Sequence, residues 1–233
     1  MNLPLLPSQP NCSRCDLSAG GIHNIGIPWR ALRVGFNATK GGDAVVLILG
    51  MNPGFHEDMT NKCWQGKSGK ILTESYIAGS SMDEHADIYL GNIARCYTPS
   101  GRAPTARQYR ACWMEHGHKD FLTVMKMYGA ARIRAALCAG ADPLAHLTRW
   151  VTGKAMKQAD ALTQQGISLS IEGVQFNLFS TYHPSAVLRD PNKIHAVSDH
   201  LSILRSYLRG TVPMATLPQI VSPHQLLEAM KGY

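Results

Sequence analysis

The stretch Asp43-Ala44-Val45-Val46-Leu47-Ile48-Leu49-Gly50-Met51-Asn52-Pro53-Gly54, "DAVVLILGMNPG", decides the fold. Its first part is an uninterrupted apolar run rich in Val, Ile and Leu that stops at Gly50, the pattern of a strand buried on both faces. Strands of this kind belong to parallel sheets covered by helices. The turn that follows carries one uncharged amide, Asn52, at the carboxyl end of the strand, where open α/β sheets bind their ligands.

Further along the chain the same alternation continues. Residues 68–78 have helical spacing, residues 86–92 ("ADIYLGN") read as a second strand, and residues 105–127 read as a helix opened by Pro104 and Thr105. "RAALCAG" gives a third strand ending at Gly140, with a helix over residues 142–151 behind it. "ISLSIEGVQFNLFSTYHPS" splits at Glu172-Gly173 into a hairpin whose second strand delivers His183, and a last helix covers residues 192–208. The pattern predicts an α/β fold: a single-domain three-layer αβα sandwich with a mainly parallel central sheet, over residues 1–209. Residues 210–233, with Pro213, Pro218 and Pro223, are expected to be a loosely held tail.

Composition narrows the class of partner. A formal charge of +7 in 233 residues and a pI near 9.2 favour a polyanion such as nucleic acid, although an ordinary basic protein has the same balance. No run reaches the roughly 18 to 20 apolar residues of a membrane helix, and "MNLPLLPSQPNC" has no leader pattern, so a cytoplasmic, nucleoid-associated monomer with no membrane contact is expected. Six cysteines are too few for a disulfide scaffold. Cys12 and Cys15 form a C-x2-C pair, Cys96 follows the second strand, and Cys112 lies in the next helix. Four thiolates suit tetrahedral zinc or an iron-sulfur cluster, and spacing does not choose between them; four unlinked core cysteines are the plain alternative. Cys63 and Cys138 fit that plain reading. Gly66-Lys67-Ser68 imitates the end of a phosphate-binding loop, but Asn61 stands where its first glycine is needed and no strand leads into it.

Five segments occur in an order that resembles the uracil-DNA glycosylase superfamily: "GMNPG" at 50–54, "WQGKSGKIL" at 64–72, "GNIARC" at 91–96, "RAPTARQYRAC" at 102–112 and "HPSAVLRDP" at 183–191. The body is most similar to the iron-sulfur family 4 branch, over roughly residues 10–209. The first motif departs from it: family 4 enzymes read G-E-A-P-G or G-E-G-P-G, whereas Met51 and Asn52 resemble the mismatch-specific and single-strand-selective branches. This leaves the class of reaction in place and puts substrate preference and rate in question.

The resemblance implies a monofunctional glycosylase, a hydrolase of N-glycosyl bonds, that flips uracil or a related deaminated base out of DNA. Asn52, which cannot ionise, would hold a water through its side-chain carbonyl, and His183 would donate to the departing base. Gly50, Met51, Trp64 and Asn92 would form the base pocket, with Trp64 stacking where family 4 has Phe and Asn92 reading the base edge. Ser185 would grip a phosphate, Val187 and Leu188 would wedge into the duplex, and Arg189 would reach a phosphate or groove. Lys67, Lys70, Arg102 and Arg107 could add phosphate contacts. Family resemblance favours a structural 4Fe-4S cluster at Cys12, Cys15, Cys96 and Cys112, with zinc as the alternative. A base-sensing DNA-binding protein of weak activity, suggested by Met51 in place of the family's Glu, is the second reading, and a zinc-dependent nucleic-acid module the third.

Overall fold

A computed structural model describes residues 9–10, 12–17, 25–27, 29–33, 44–98, 102–127 and 133–211. The anticipated tail lies outside the described residues apart from Gly210 and Thr211. A two-residue antiparallel pair, β1 (Gln9–Pro10) with β2 (Ile25–Gly26), stands apart from the main sheet. That sheet contains β3 (Arg30–Arg33), β4 (Ala44–Gly50), β5 (Asp87–Asn92), β6 (Ile133–Ala139), β7 (Ile167–Ile171) and β8 (Val174–Thr181). Its order is β3-β5-β4-β6-β8-β7, parallel from β5 through β8 and antiparallel at both edges.

Every residue of β4 is buried, as its unbroken apolar sequence requires. Successive side chains face opposite layers. Val45, Leu47 and Leu49 pack with Trp113, Phe121, Leu144, Leu147 and Trp150 on one face, while Val46 and Ile48 pack with Leu72, Tyr76, Leu201 and Leu204 on the other. This is the three-layer α/β sandwich expected from the sequence. The chain leaves β4 to one side to form β5 and crosses to the other side for β6, so the carboxyl end of β4 lies at the reversal of strand order where a crevice opens.

Most helices fall where the spacing puts them. Residues 105–127 form one helical run, Ala106–Cys112 and His118–Lys126 joined by the π-helical turn Trp113–Gly117, with Thr105 as N-cap accepting from the Gln108 amide. The segment after residue 65 is likewise α-helical over Gly66–Ile71 and π-helical over Leu72–Ala78. The β7–β8 hairpin closes on Glu172 and Gly173, both with positive φ, 48° and 76°. Elements without a sequence signal include β3, whose four residues contain two arginines, and the short helices Phe55–Thr60, Gln158–Leu162 and Pro184–Arg189, which span too few residues to show a period.

Candidate active site and cysteine centre

The first of two sites is a pocket at the carboxyl ends of the parallel strands, lined by Asn52, Gly54, Phe55, His56, Glu57, Trp64, Gln65, Gly66, Lys67, Ser68, Asn92 and His183, with a volume of about 360 Å³. Each wall has a structural cause. Asn52 stands on the turn beyond β4, Asn92 ends β5, and His183 follows β8 as the N-cap of the helix Pro184–Arg189. Gly50 is obligatory here: a Cβ on it would overlap Asn92 Oδ1 and the Trp64 ring.

Asn52 is held by its nitrogen. Nδ2 donates to the Pro53 carbonyl at 3.0 Å and to Thr98 Oγ1 at 3.2 Å, while Oδ1 is enclosed with no protein partner. A buried acceptor left in this state costs about 1 to 3 kcal/mol.

His183 is held by its other face. Its Nδ1 accepts the Ser185 backbone N–H at 3.1 Å and lies 2.9 Å from Ser185 Oγ. A backbone N–H can only donate, so Nδ1 carries no proton and the neutral ring has its hydrogen on Nε2. Burial, with a smaller contribution from Arg189, pushes the pKa of His183 down to about 4. A neutral imidazole with an Nε2–H donor is the state this fold favours.

Trp64 stacks on the His183 ring, centroids 5.3 Å apart and planes 26° from parallel, and its Nε1 donates to the Gly91 carbonyl at 3.0 Å. Its backbone φ of 59° is left-handed, uncommon for a bulky residue and a mark of local strain. Glu57 ties the two loops together: one carboxylate oxygen accepts from Gly54 N at 3.0 Å and the other from Gln65 N at 2.7 Å.

The second site is a small cavity lined by Cys12, Cys15, Cys96 and Cys112 with Arg14, Leu17, Arg95 and His116. All four thiols are free. His116 Nε2 lies 3.2 Å from Cys12 Sγ, and the Arg95 backbone N–H donates to Cys112 Sγ at 3.3 Å. Beneath them the buried Arg95 guanidinium pairs with Asp120 and lies 5.5 Å from the centre of the Trp29 ring. Burial, reinforced by the neighbouring thiols, pushes Cys96 up to about 12, and burial lifts Cys112 to about 11. Such thiols ionise together only against a strongly bound cation. Among the described residues no three His, Cys, Asp or Glu side chains converge closely enough to hold one metal ion. The four thiols nevertheless line one cavity, and four cysteines are a donor set used for zinc and for iron-sulfur clusters alike.

The family model described as the uracil DNA glycosylase superfamily matches residues 36–209, about three quarters of the chain. The chain belongs to the uracil DNA glycosylase superfamily. Relatives agree with the family 4 resemblance of its motifs. It is 29% identical to the Type-4 uracil-DNA glycosylase of Pyrobaculum aerophilum over 148 residues, 63% of this chain and 69% of that one. It is 24% identical to the Type-4 uracil-DNA glycosylase of Saccharolobus solfataricus over 193 residues, 82% and 79% of the two chains. A DNA polymerase of Bacillus phage SP01 is 28% identical over 176 residues, 75% of this chain and only 17% of the polymerase.

Asn52, Trp64, Asn92 and His183, singled out from sequence, line the same pocket. Met51 is turned aside and packs against the core. Val187 and Leu188 do not form the exposed pair expected of them: the short helix places Leu188 outward, 46% exposed, and buries Val187 at 9%. Ser185 has its N–H and hydroxyl turned to His183, and Arg189 Nη1 reaches back to Ser185 Oγ at 3.4 Å. Lys67 lines the pocket, whereas Lys70 faces Glu74 at 3.9 Å. Cys63 and Cys138 are core residues, as expected. Sequence reading missed Glu57, Thr98, Arg95 and His116. The spacing of Glu57 from Gly54, an acid three residues after a helix cap, could have revealed the first; nothing local marks the others.

Proposed function

We propose that this protein is a monofunctional DNA glycosylase that hydrolyses the N-glycosidic bond of uracil, or of a closely related deaminated base, after the nucleotide is flipped out of DNA. The observation that carries the reading is the convergence of Asn52 and His183, from the ends of β4 and β8, on one pocket that also contains Trp64 and Asn92.

The chemistry follows from those side chains. A flipped pyrimidine enters the pocket beside the Trp64–His183 stack, and the Asn92 amide supplies a donor and an acceptor to its edge. As the C1′–N1 bond lengthens, the bonding electron pair moves onto the base and the sugar takes on oxocarbenium character. The His183 Nε2–H donates to the base oxygen that gathers this charge, an interaction strongest in the transition state. A neutral donor suffices because it stabilises the anion without transferring a proton. Water held by Asn52 Oδ1 forms the new bond to C1′ and loses a proton to solvent, while the released base anion takes one up from solvent, giving a free base and an abasic sugar. A cationic sugar needs no strong base to activate that water, so an amide can serve where a carboxylate is absent. Leu188 is the residue placed to enter the gap left in the stack.

Cys12, Cys15, Cys96 and Cys112 would hold a 4Fe-4S cluster whose contribution is structural, fixing the segment 12–17 to the loop after β5. Residues 1–209 form the catalytic domain in this reading, and 210–233 an appendage. Among the described residues no helix is long and apolar enough to cross a membrane, and the net positive charge suits a DNA partner.

Incubation with an oligonucleotide carrying one uracil, opposite guanine, opposite adenine or unpaired, followed by alkali, tests the proposal. Strand cleavage only after alkali is expected. Intact strands for every uracil context and for hypoxanthine overturn it, and tight binding without base release would establish the base-sensing reading instead. A brown preparation containing iron and sulfide supports the cluster; a colourless protein with bound zinc removes it.

A further inference from the structure

Thr98, in the loop after β5, is 7% exposed and lies behind Asn52 as seen from the pocket. Its hydroxyl has a single proton, which it donates to the Arg102 carbonyl at 2.7 Å. With that proton committed, Oγ1 faces Asn52 as an acceptor and receives Nδ2–H at 3.2 Å. The second Nδ2 proton goes to the Pro53 carbonyl at 3.0 Å. Rotating the amide by half a turn would set Oδ1 against two acceptors, the Thr98 oxygen and the Pro53 carbonyl. The two side chains therefore specify one orientation, in which Oδ1 is the group left without a partner.

We propose that Thr98 is a positioning residue for the hydrolytic step: through its bond to Arg102 it keeps the Asn52 amide turned so that Oδ1, not Nδ2, meets the attacking water. The inference rests on the glycosylase reading and deepens it. Asn52 alone cannot choose, because an amide presents an oxygen or a nitrogen to the same place with almost no change of shape. An inverted Asn52 would offer the water a donor and take away the acceptor that orients its lone pair toward C1′. The loop carrying Thr98 also carries Cys96, so the amide's orientation is secured from the segment that reaches the cysteine cavity.

Single-turnover excision from a saturating uracil oligonucleotide tests this, with Thr98→Val, Thr98→Ser, Asn52→Ala and the double variant Thr98→Val/Asn52→Ala. Thr98→Val keeps the shape and removes the acceptor. It should slow the excision step about tenfold, the scale of one hydrogen bond, with substrate affinity unchanged. Thr98→Ser should restore most of the rate. In the Asn52→Ala background the Thr98→Val change should have no further effect. Thermal melting identifies any variant that fails to fold, and Thr98→Ala replaces Thr98→Val in that event. A Thr98→Val protein as fast as wild type, or an equal loss in the Asn52→Ala background, overturns the inference while leaving the glycosylase reading intact. A wild-type protein that releases no base overturns the glycosylase reading and this inference with it.

Discussion

Asn52 and His183 stand beyond two strands of a single buried sheet, whereas Cys12 and Cys15 stand on a short segment outside the sheet that meets the helical run after β5 through side chains. The pocket's polar atoms are fixed mainly by backbone groups: Pro53 O for Asn52, Ser185 N for His183, Gly91 O for Trp64, and Gly54 N and Gln65 N for Glu57. On the cysteine side, segment 12–17 is attached by Arg14–Glu115 at 2.8 Å, Gln108–Asp16 at 2.7 Å, the Cys12–His116 contact and the buried Leu17. Solvent-exposed pairs of this kind are worth about 0 to 1 kcal/mol each. The difference teaches that the pocket is preformed by the fold, while segment 12–17 is held in place by a few side-chain contacts.

The most severe test of the preformed half is His183→Ala. Loss of one donor to developing negative charge costs about 3 to 4 kcal/mol, so the single-turnover excision rate should fall several hundred-fold. Loss of the N-cap should lower stability by only about 1 kcal/mol, a small shift on thermal melting. A rate within tenfold of wild type would remove His183 from the chemistry. The dependent half is tested by Cys96→Ala beside Cys138→Ala, a buried cysteine distant in role. The first should lose iron and colour and be cut by trypsin at Arg14 roughly tenfold faster, a local loss near 1.4 kcal/mol. The second should keep its colour. Equal protease resistance in the two would mean that segment 12–17 is held without a metal group.

Glu57→Gln probes the boundary between the halves of the pocket itself. The carboxylate accepts from two backbone amides, and the substituted amide can keep only one of those bonds in place. A cost of about 1 to 2 kcal/mol is expected, seen as a lower melting temperature and a higher KM. An unchanged KM would show that the loops on either side of Glu57 keep their places without it.

The same contrast explains what the sequence reveals. β4 is readable because both its faces are buried and every residue must be apolar; β3 is not, because a four-residue edge strand containing Arg30 and Arg33 has no hydrophobic period. Pocket residues that close a strand are readable by position: Asn52 after β4, Asn92 at the end of β5, His183 after β8. Thr98 and Arg95 act through partners distant in sequence or specified only by the folded loop, and no pattern of residue types announces that. Val187 and Leu188 show the limit from the other side. Adjacent apolar residues read as a pair, but one short helix turns them in different directions, Leu188 outward and Val187 inward.

The smallest expected effect is an absence of change, and it discriminates well. His183 has its pKa lowered from the ordinary 6.5 to about 4, first by burial and then by Arg189. Between those values the unfolded chain binds more protons than the folded one, so this residue's contribution to stability falls as pH drops from about 6.5 toward 4 and is unchanged above 6.5. Within the folded protein the ring stays largely neutral until the pH comes within about one unit of 4. Single-turnover excision per folded molecule should therefore be flat from pH 7.5 to about 5.5, even as the melting temperature declines toward the acid end. An excision rate that climbs on acidification with a midpoint near 6.5 would mean that the imidazolium is the working donor. The Ser185 N–H bond to Nδ1 would then have to be lost, because a doubly protonated ring has no acceptor for it. A flat rate instead leaves the backbone of the helix Pro184–Arg189 as the element that fixes which nitrogen carries the proton.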